Sequence, residues 1–257
     1  MPHSFEQKLE RANQHLQSFD RQILRWMERK PYRTIDEFDP EKGCRVFSLE
    51  PVGRTPEHLA IELGDVLYNL RSALDHLAFA LAQKHSGPLN QREAKEVQFP
   101  ICHNKKEYFR KERERRIGKI SPAAQTEIDG FQPYNAGDRY ESHPLYLLNE
   151  LNIIDKHRSL LLMLAHHIGT IIPIPQPTKN LASFRYVSNA GLLQGKTEVA
   201  HYLVTANDAE MKMNLRPMVQ VSLADGFPTG SDVTDTIRDI RNFISQTVFP
   251  KLRPFLS

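Results

Sequence analysis

Arg71, Asp75 and His76 fall within two helical turns of one another, in the stretch NLRSALDH. An imidazole titrates close to neutral pH and can give or take a proton there. A guanidinium presents a planar fork that matches the oxygens of a carboxylate or a phosphate. A neighbouring carboxylate can orient either group. These residue types suit acid–base work on a phosphate ester, or the holding of an anionic ligand. Asp65, Asn69, Ser72 and His76 recur at steps of three and four, which places them on one line of a helix; Tyr68, Arg71 and Asp75 form the line beside it.

A second polar group stands in HPLYLLNELNIIDKHR. Asn149, Asn152 and Lys156 share one helical line, Glu150 and His157 another, with Asp155 and Arg158 alongside. Each group sits on a leucine stripe: Leu67, Leu70, Leu74, Leu77 and Leu81 in the first, Leu147, Leu148, Leu151, Ile154 and Leu161 in the second. Two such helices packed together would enclose both polar groups, and buried charge needs a partner. We therefore take Arg71, Asp75 and His76 as candidate catalytic residues. Asn69, Ser72, Glu150, Asn152, Asp155, Lys156, His157 and Arg158 are candidate binding residues. The plainer alternative is an internal network of ion pairs and hydrogen bonds that fixes helix register, with no ligand at all. A metal site is not expected, since no H-E-x-x-H spacing occurs, and no cofactor is implied.

Arg71 and His76 fit the pattern R-x4-H. That pattern resembles the Arg-x(4–6)-His signature of the HEPN superfamily of helical nucleases and nucleotide-binding domains. The wider combination NLRSALDHLAFAL, FPI, FQPY and HPLYLLNELNIIDKHR, over residues 56–165, is similar to a bacterial family to which no activity is assigned. The first resemblance implies cleavage of RNA without a metal, the ribose 2′-OH attacking the adjacent phosphate. Arg71 would then stabilise the phosphorane and His76 would act as general acid or base, the two being supplied across a homodimer. It implies a ribonuclease or RNA-binding protein of the toxin or defence type, with RNA, a nucleotide, an antitoxin or another protein as partner. Two further functions stay open: a non-catalytic partner-binding protein, and a sensor of nucleotides or other small ligands.

The elements that must carry these residues follow from periodicity. The chain has 257 residues, long enough for a real core. A net charge of +3 permits an RNA partner without demanding one. Cys44 and Cys102 form no CxxC pair, so neither a thiol-built zinc site nor a disulfide framework is implied. The opening MPHSFEQKLERA lacks the apolar core of a signal peptide, and no run reaches the ~18 apolar residues of a membrane span; a cytoplasmic protein is expected. No Walker loop, GxGxxG or GxSxG occurs.

The spacing predicts long helices over 4–29, from Pro56 to about Lys84, and over 143–164, with a charged helix over 105–118. A hairpin over 32–54 turns at DPEKG. After His167, the runs IGTIIPIP, ASFRYVS, EVAHYLV and RPMVQVSLA read as strands. The expected fold is α+β but mainly α: one domain over 1–257, a HEPN-like helical bundle over 4–165, a small antiparallel β element over 168–224, and a C-terminal helix over 232–254 returning to the bundle.

Overall fold

The structure, a computed structural model, describes residues 3–158, 160, 162–166, 181–187, 191–204, 215, 217–224 and 232–257. Contacts divide the chain into two compact units. One is built from Met1–Phe19, Ala60–Leu160 and Thr236–Ser257; the other from Asp20–Leu59 and Leu161–Asp235.

The first unit is helical. α1 (Ser4–Glu28) places Phe5, Ala12, Leu16 and Phe19 on its buried face at steps of three, four and seven. α2 (Glu57–Ser86) starts directly after Pro56, a residue pre-shaped for a first helical turn. Its stripe Leu63, Leu67, Leu70, Leu74, Leu77 and Leu81 is buried, each side chain contributing about 1.5–3 kcal/mol of transfer free energy. The short α3 (Gln91–Glu96) is closed by a capping box between Asn90 and Glu93. The charged stretch expected to form one helix is α4 (Lys105–Glu107) and α5 (Arg113–Ile117) joined by a π turn, Tyr108–Glu112. That wider turn directs Tyr108 inward, where its hydroxyl donates to Asp129 at 2.6 Å. α6 (Pro122–Gly130) opens on Ser121, whose hydroxyl accepts from the Ala124 amide. A 3₁₀ segment, Pro133–Ser142, leads into α7 (Pro144–His157).

α7 stops at His157, so the helix expected to run to Leu164 is shorter. Leu162–His166 is instead a strand, β3. α7 lies antiparallel on α2: Asn152 donates to the Leu67 carbonyl at 3.3 Å, and Asp155 meets Gly64. The unit closes with α8 (Val233–Phe243), a π turn at Ile244–Val248, α9 (Phe249–Leu252) and a last 3₁₀ turn.

The second unit holds two antiparallel sheets, and here the expectation of a mainly α bundle with a small β element is overturned. β1 (Tyr32–Asp39) and β2 (Cys44–Pro51) form the anticipated hairpin, with the Asp39 carboxylate accepting from the amides of Glu41 and Lys42. The hairpin is no free arm, because β2 pairs with β6 (Thr197–Val204). With β4 (Leu181–Tyr186) they make a four-stranded sheet of order β1-β2-β6-β4. A second sheet runs β5-β3-β7, with β5 at Gly191–Leu192 and β7 at Val219–Leu223. Strands from residue 32 onward thus join strands near residue 200, and the fold is α+β with substantial sheet. Phe47, Leu49, Leu164, Val199 and Tyr202 share this unit's core, with Trp26 and Met27 packed against it. The expected strand IGTIIPIP and His167 lie outside the described residues. Among the described residues no helix is long and apolar enough to cross a membrane.

Candidate functional site

Arg71 and Asp75 are four apart on α2 and meet as an ion pair at 3.0 Å. Both then reach the same backbone residue of the 98–104 segment. Arg71 Nη2 donates to the Phe99 carbonyl at 2.7 Å, and the Phe99 amide donates to Asp75 Oδ1 at 3.0 Å. The pair therefore satisfies both polar groups of one peptide residue, as a neighbouring strand would. Gln132, fully buried, spans two further residues: its Nε2 donates to the Pro100 carbonyl and its Oε1 accepts from the Cys102 amide. The Tyr134 amide donates to the Cys102 carbonyl. Among the described residues no strand pairs with this segment, and side chains supply most of these partners.

Between this segment, the start of the charged helical stretch and α7 lies a cavity of about 480 Å³ that opens to solvent. Arg71 and Asp75 form part of its wall with Glu150 and Lys156 of α7. Glu107, Glu112 and Arg116 add charge from the opposite side, and Cys102 and His103 come from the segment itself. Burial pulls the Arg71 guanidinium below its ordinary pKa; Asp75 opposes that effect and Arg116 adds to it. Both hydrogen bonds of Arg71 are made by Nη2, and its Nη1 is buried without an acceptor. Burial, then Glu112 and Glu107, push the Cys102 thiol up to about 11. It therefore stays protonated at neutral pH and is no nucleophile.

Arg116 donates to Glu112 at 3.2 Å and to Gln98 at 2.6 Å. Against burial, which acts upward, hydrogen bonds from Arg115 and Arg116 hold Glu112 below the usual carboxylate range. Lys156 is exposed and enters no ion pair among the described residues. The His103 ring stacks on Tyr140, centroids 5.1 Å apart, and meets Tyr146 edge-on at 5.7 Å.

The candidate residues fall into three groups. Arg71, Asp75, Glu150 and Lys156 come together at the cavity. Asn69 and Asn152 are buried instead: Asn69 donates to the Asp65 carbonyl of its own helix at 2.8 Å, and Asn152 joins α7 to α2 by donating to the Leu67 carbonyl as well as to that of Leu148. Asp155 lies on the same interface, its carboxylate against Gly64. Its carboxyl is held above the ordinary value by burial, then by Asp65. His76 and Ser72 are half-buried on α2, and His157 and Arg158 are exposed at the end of α7; none of the four lines the cavity. Arg71 and His76 differ by five positions, about 140° around a helix at 100° per residue, and the structure turns only Arg71 to the cavity.

Sequence reading missed Gln132, Glu107, Glu112, Arg116 and His103. The signal for Gln132 was FQPY itself, a glutamine between two aromatic anchors; the others lie in a stretch that reads as a solvated charged helix. Comparison with known proteins returns nothing: no protein family, no curated protein and no solved structure matches this chain.

Proposed function

We propose that this chain binds a small polar ligand through an anionic group, in the cavity headed by Arg71, and acts as a sensor or carrier of that ligand. The observation that carries the reading is Arg71 itself: a guanidinium at a cavity wall, shielded from water, with one buried nitrogen lacking an acceptor. An unsatisfied buried donor costs about 1–3 kcal/mol, which a carboxylate or phosphate oxygen can offset once the guanidinium turns that nitrogen toward the cavity. The cavity, about 480 Å³, lies within the ~300–1,000 Å³ common for ligand sites. RNA cleavage by the Arg-x4-His pair has less support, because His76 of the same chain does not reach the cavity.

Thermal-shift titration with inorganic phosphate, AMP and a short carboxylate tests this. At least one should raise the Tm, by about 5–11 °C at 100 Kd. Arg71→Lys keeps the charge and loses the fork, so it should weaken the affinity tenfold or more and roughly halve that shift. Lys156→Gln, a change at an exposed side chain, should weaken it while leaving the Tm of the free protein in place. No shift with any of the anions, or a shift indifferent to Arg71→Lys, would defeat the proposal.

A further inference from the structure

Resting on that reading of Arg71, we propose that the ligand is a zwitterion, whose cationic group is held by Glu107 and Glu150 beside the His103 ring. Its anionic group is then the one received at Arg71.

Some charges of the lining are already answered. Arg71 is paired with Asp75 at 3.0 Å, and Arg116 with Glu112 at 3.2 Å. Left over are Lys156, Glu107 and Glu150, none of which enters an ion pair among the described residues. The Glu150 carboxylate accepts one hydrogen bond, from Asn149 at 3.3 Å. A polyanion filling the cavity would meet Asp75 and Glu112 in addition to these two free carboxylates. A simple cation would meet Arg71, Arg116 and Lys156. Only a ligand carrying both signs meets complementary charge in both places, and mismatched charge is what sites use to reject wrong partners.

The aromatic groups fit the same division. His103 lines the cavity and is locked against Tyr140 and Tyr146, which also meet each other at 5.1 Å. Burial, then Glu150, raise the Tyr146 hydroxyl; for Tyr140, Glu141 acts first, then burial, with Glu150 contributing. The field of the Glu150 carboxylate thus falls on a cluster of aromatic rings. The Glu150 carboxylate at this wall favours an ammonium or guanidinium group.

The test uses the full chain and ω-amino carboxylates of increasing length, from 4-aminobutanoate to 6-aminohexanoate. Hexanoate and hexylammonium serve as single-charge controls. Calorimetry and thermal shift should show one amino carboxylate binding at least tenfold tighter than either control. In Glu107→Gln with Glu150→Gln, that advantage over hexanoate should vanish, with hexanoate bound no more weakly than by the native chain. Hexanoate binding as tightly as every amino carboxylate would overturn the zwitterion inference and leave the anionic anchor standing. Hexylammonium binding best would overturn the anchor. Failure of all the probes would overturn both.

Discussion

Gly64 and Asp155 show how one residue decides a close contact. A Cβ on Gly64 would stand 2.6 Å from Asp155 Oδ1 and 2.9 Å from its Cγ. Glycine inside a helix otherwise costs about 0.5–1 kcal/mol against alanine. Gly64→Ala should therefore be coupled to Asp155: more favourable in an Asp155→Ala background than in the native one, by about 1 kcal/mol in a double-mutant cycle. Additivity would show that the two residues do not meet. Asp155 also carries a pH signature. Burial, then Asp65, raise its carboxyl pKa, so the folded state favours the protonated form. The stability from this group is present below the ordinary carboxylate pKa and lost as pH rises through the raised value. Asp155→Asn should raise the Tm by about 2 °C at pH 7 and give no gain at pH 3, below the ordinary value. A gain of equal size at both would remove ionisation as its cause.

At the level of elements, the 98–104 segment depends on side chains for its backbone partners, and Gln132 is the more buried of its two clamps. Gln132→Leu keeps the bulk and strands the Pro100 carbonyl and the Cys102 amide. With about 1–3 kcal/mol lost per buried orphan group, the Tm should fall by at least about 4 °C; a fall under 1 °C would mean the segment is held elsewhere. His143 caps α7 through Nδ1, which accepts from the Leu145 amide at 3.2 Å, and burial lowers its pKa. Its stability is present above the unfolded histidine value and lost as pH falls through the lowered folded one. His143→Asn, which accepts at any pH, should flatten the decline in Tm between pH 7 and 5; an unchanged slope would assign the decline to other groups.

These elements also explain what the residues disclosed. Helices α1 and α2 were legible because their apolar stripes repeat at helical steps over many turns. The hairpin turn was legible because Asp39 and Gly43 prescribe it locally, Gly43 at φ +62°. The end of α7 was not, since LLLML after Arg158 suits a helix or a strand equally. The pairing of Val46 with His201 was hidden for another reason: no local pattern encodes a partner so far along the chain. At the site, the meeting of Arg71 with Glu150 and Lys156 followed from two facing polar helices. The exclusion of His76 depended on how α2 is rotated about its axis, which a repeat of leucines fixes only coarsely.

For the whole molecule, charge is what bears on RNA. The chain carries 34 Lys and Arg against 31 Asp and Glu, and the cavity mixes both signs as evenly. A protein that holds a nucleic-acid strand neutralises phosphates with a run of cations and releases counterions, so its affinity drops steeply with salt. Here three arginines of the basic stretch KKEYFRKERERR are paired: Glu112 engages Arg115 and Arg116, and Asp129, outside the stretch, holds Arg113. Those cations are already committed to carboxylates. A labelled single-stranded RNA incubated with the chain and a chelator should therefore stay intact, and any binding at low salt should be gone at physiological salt. His76→Ala should leave both results unchanged. Cleavage leaving 2′,3′-cyclic phosphate ends, abolished by Arg71→Ala and by His76→Ala alike, would reverse this conclusion. It would also require His76 to reach the Arg71 cavity from a second chain. Mixing the two inactive variants would then restore activity, since one shared site of a mixed dimer would hold both an intact Arg71 and an intact His76.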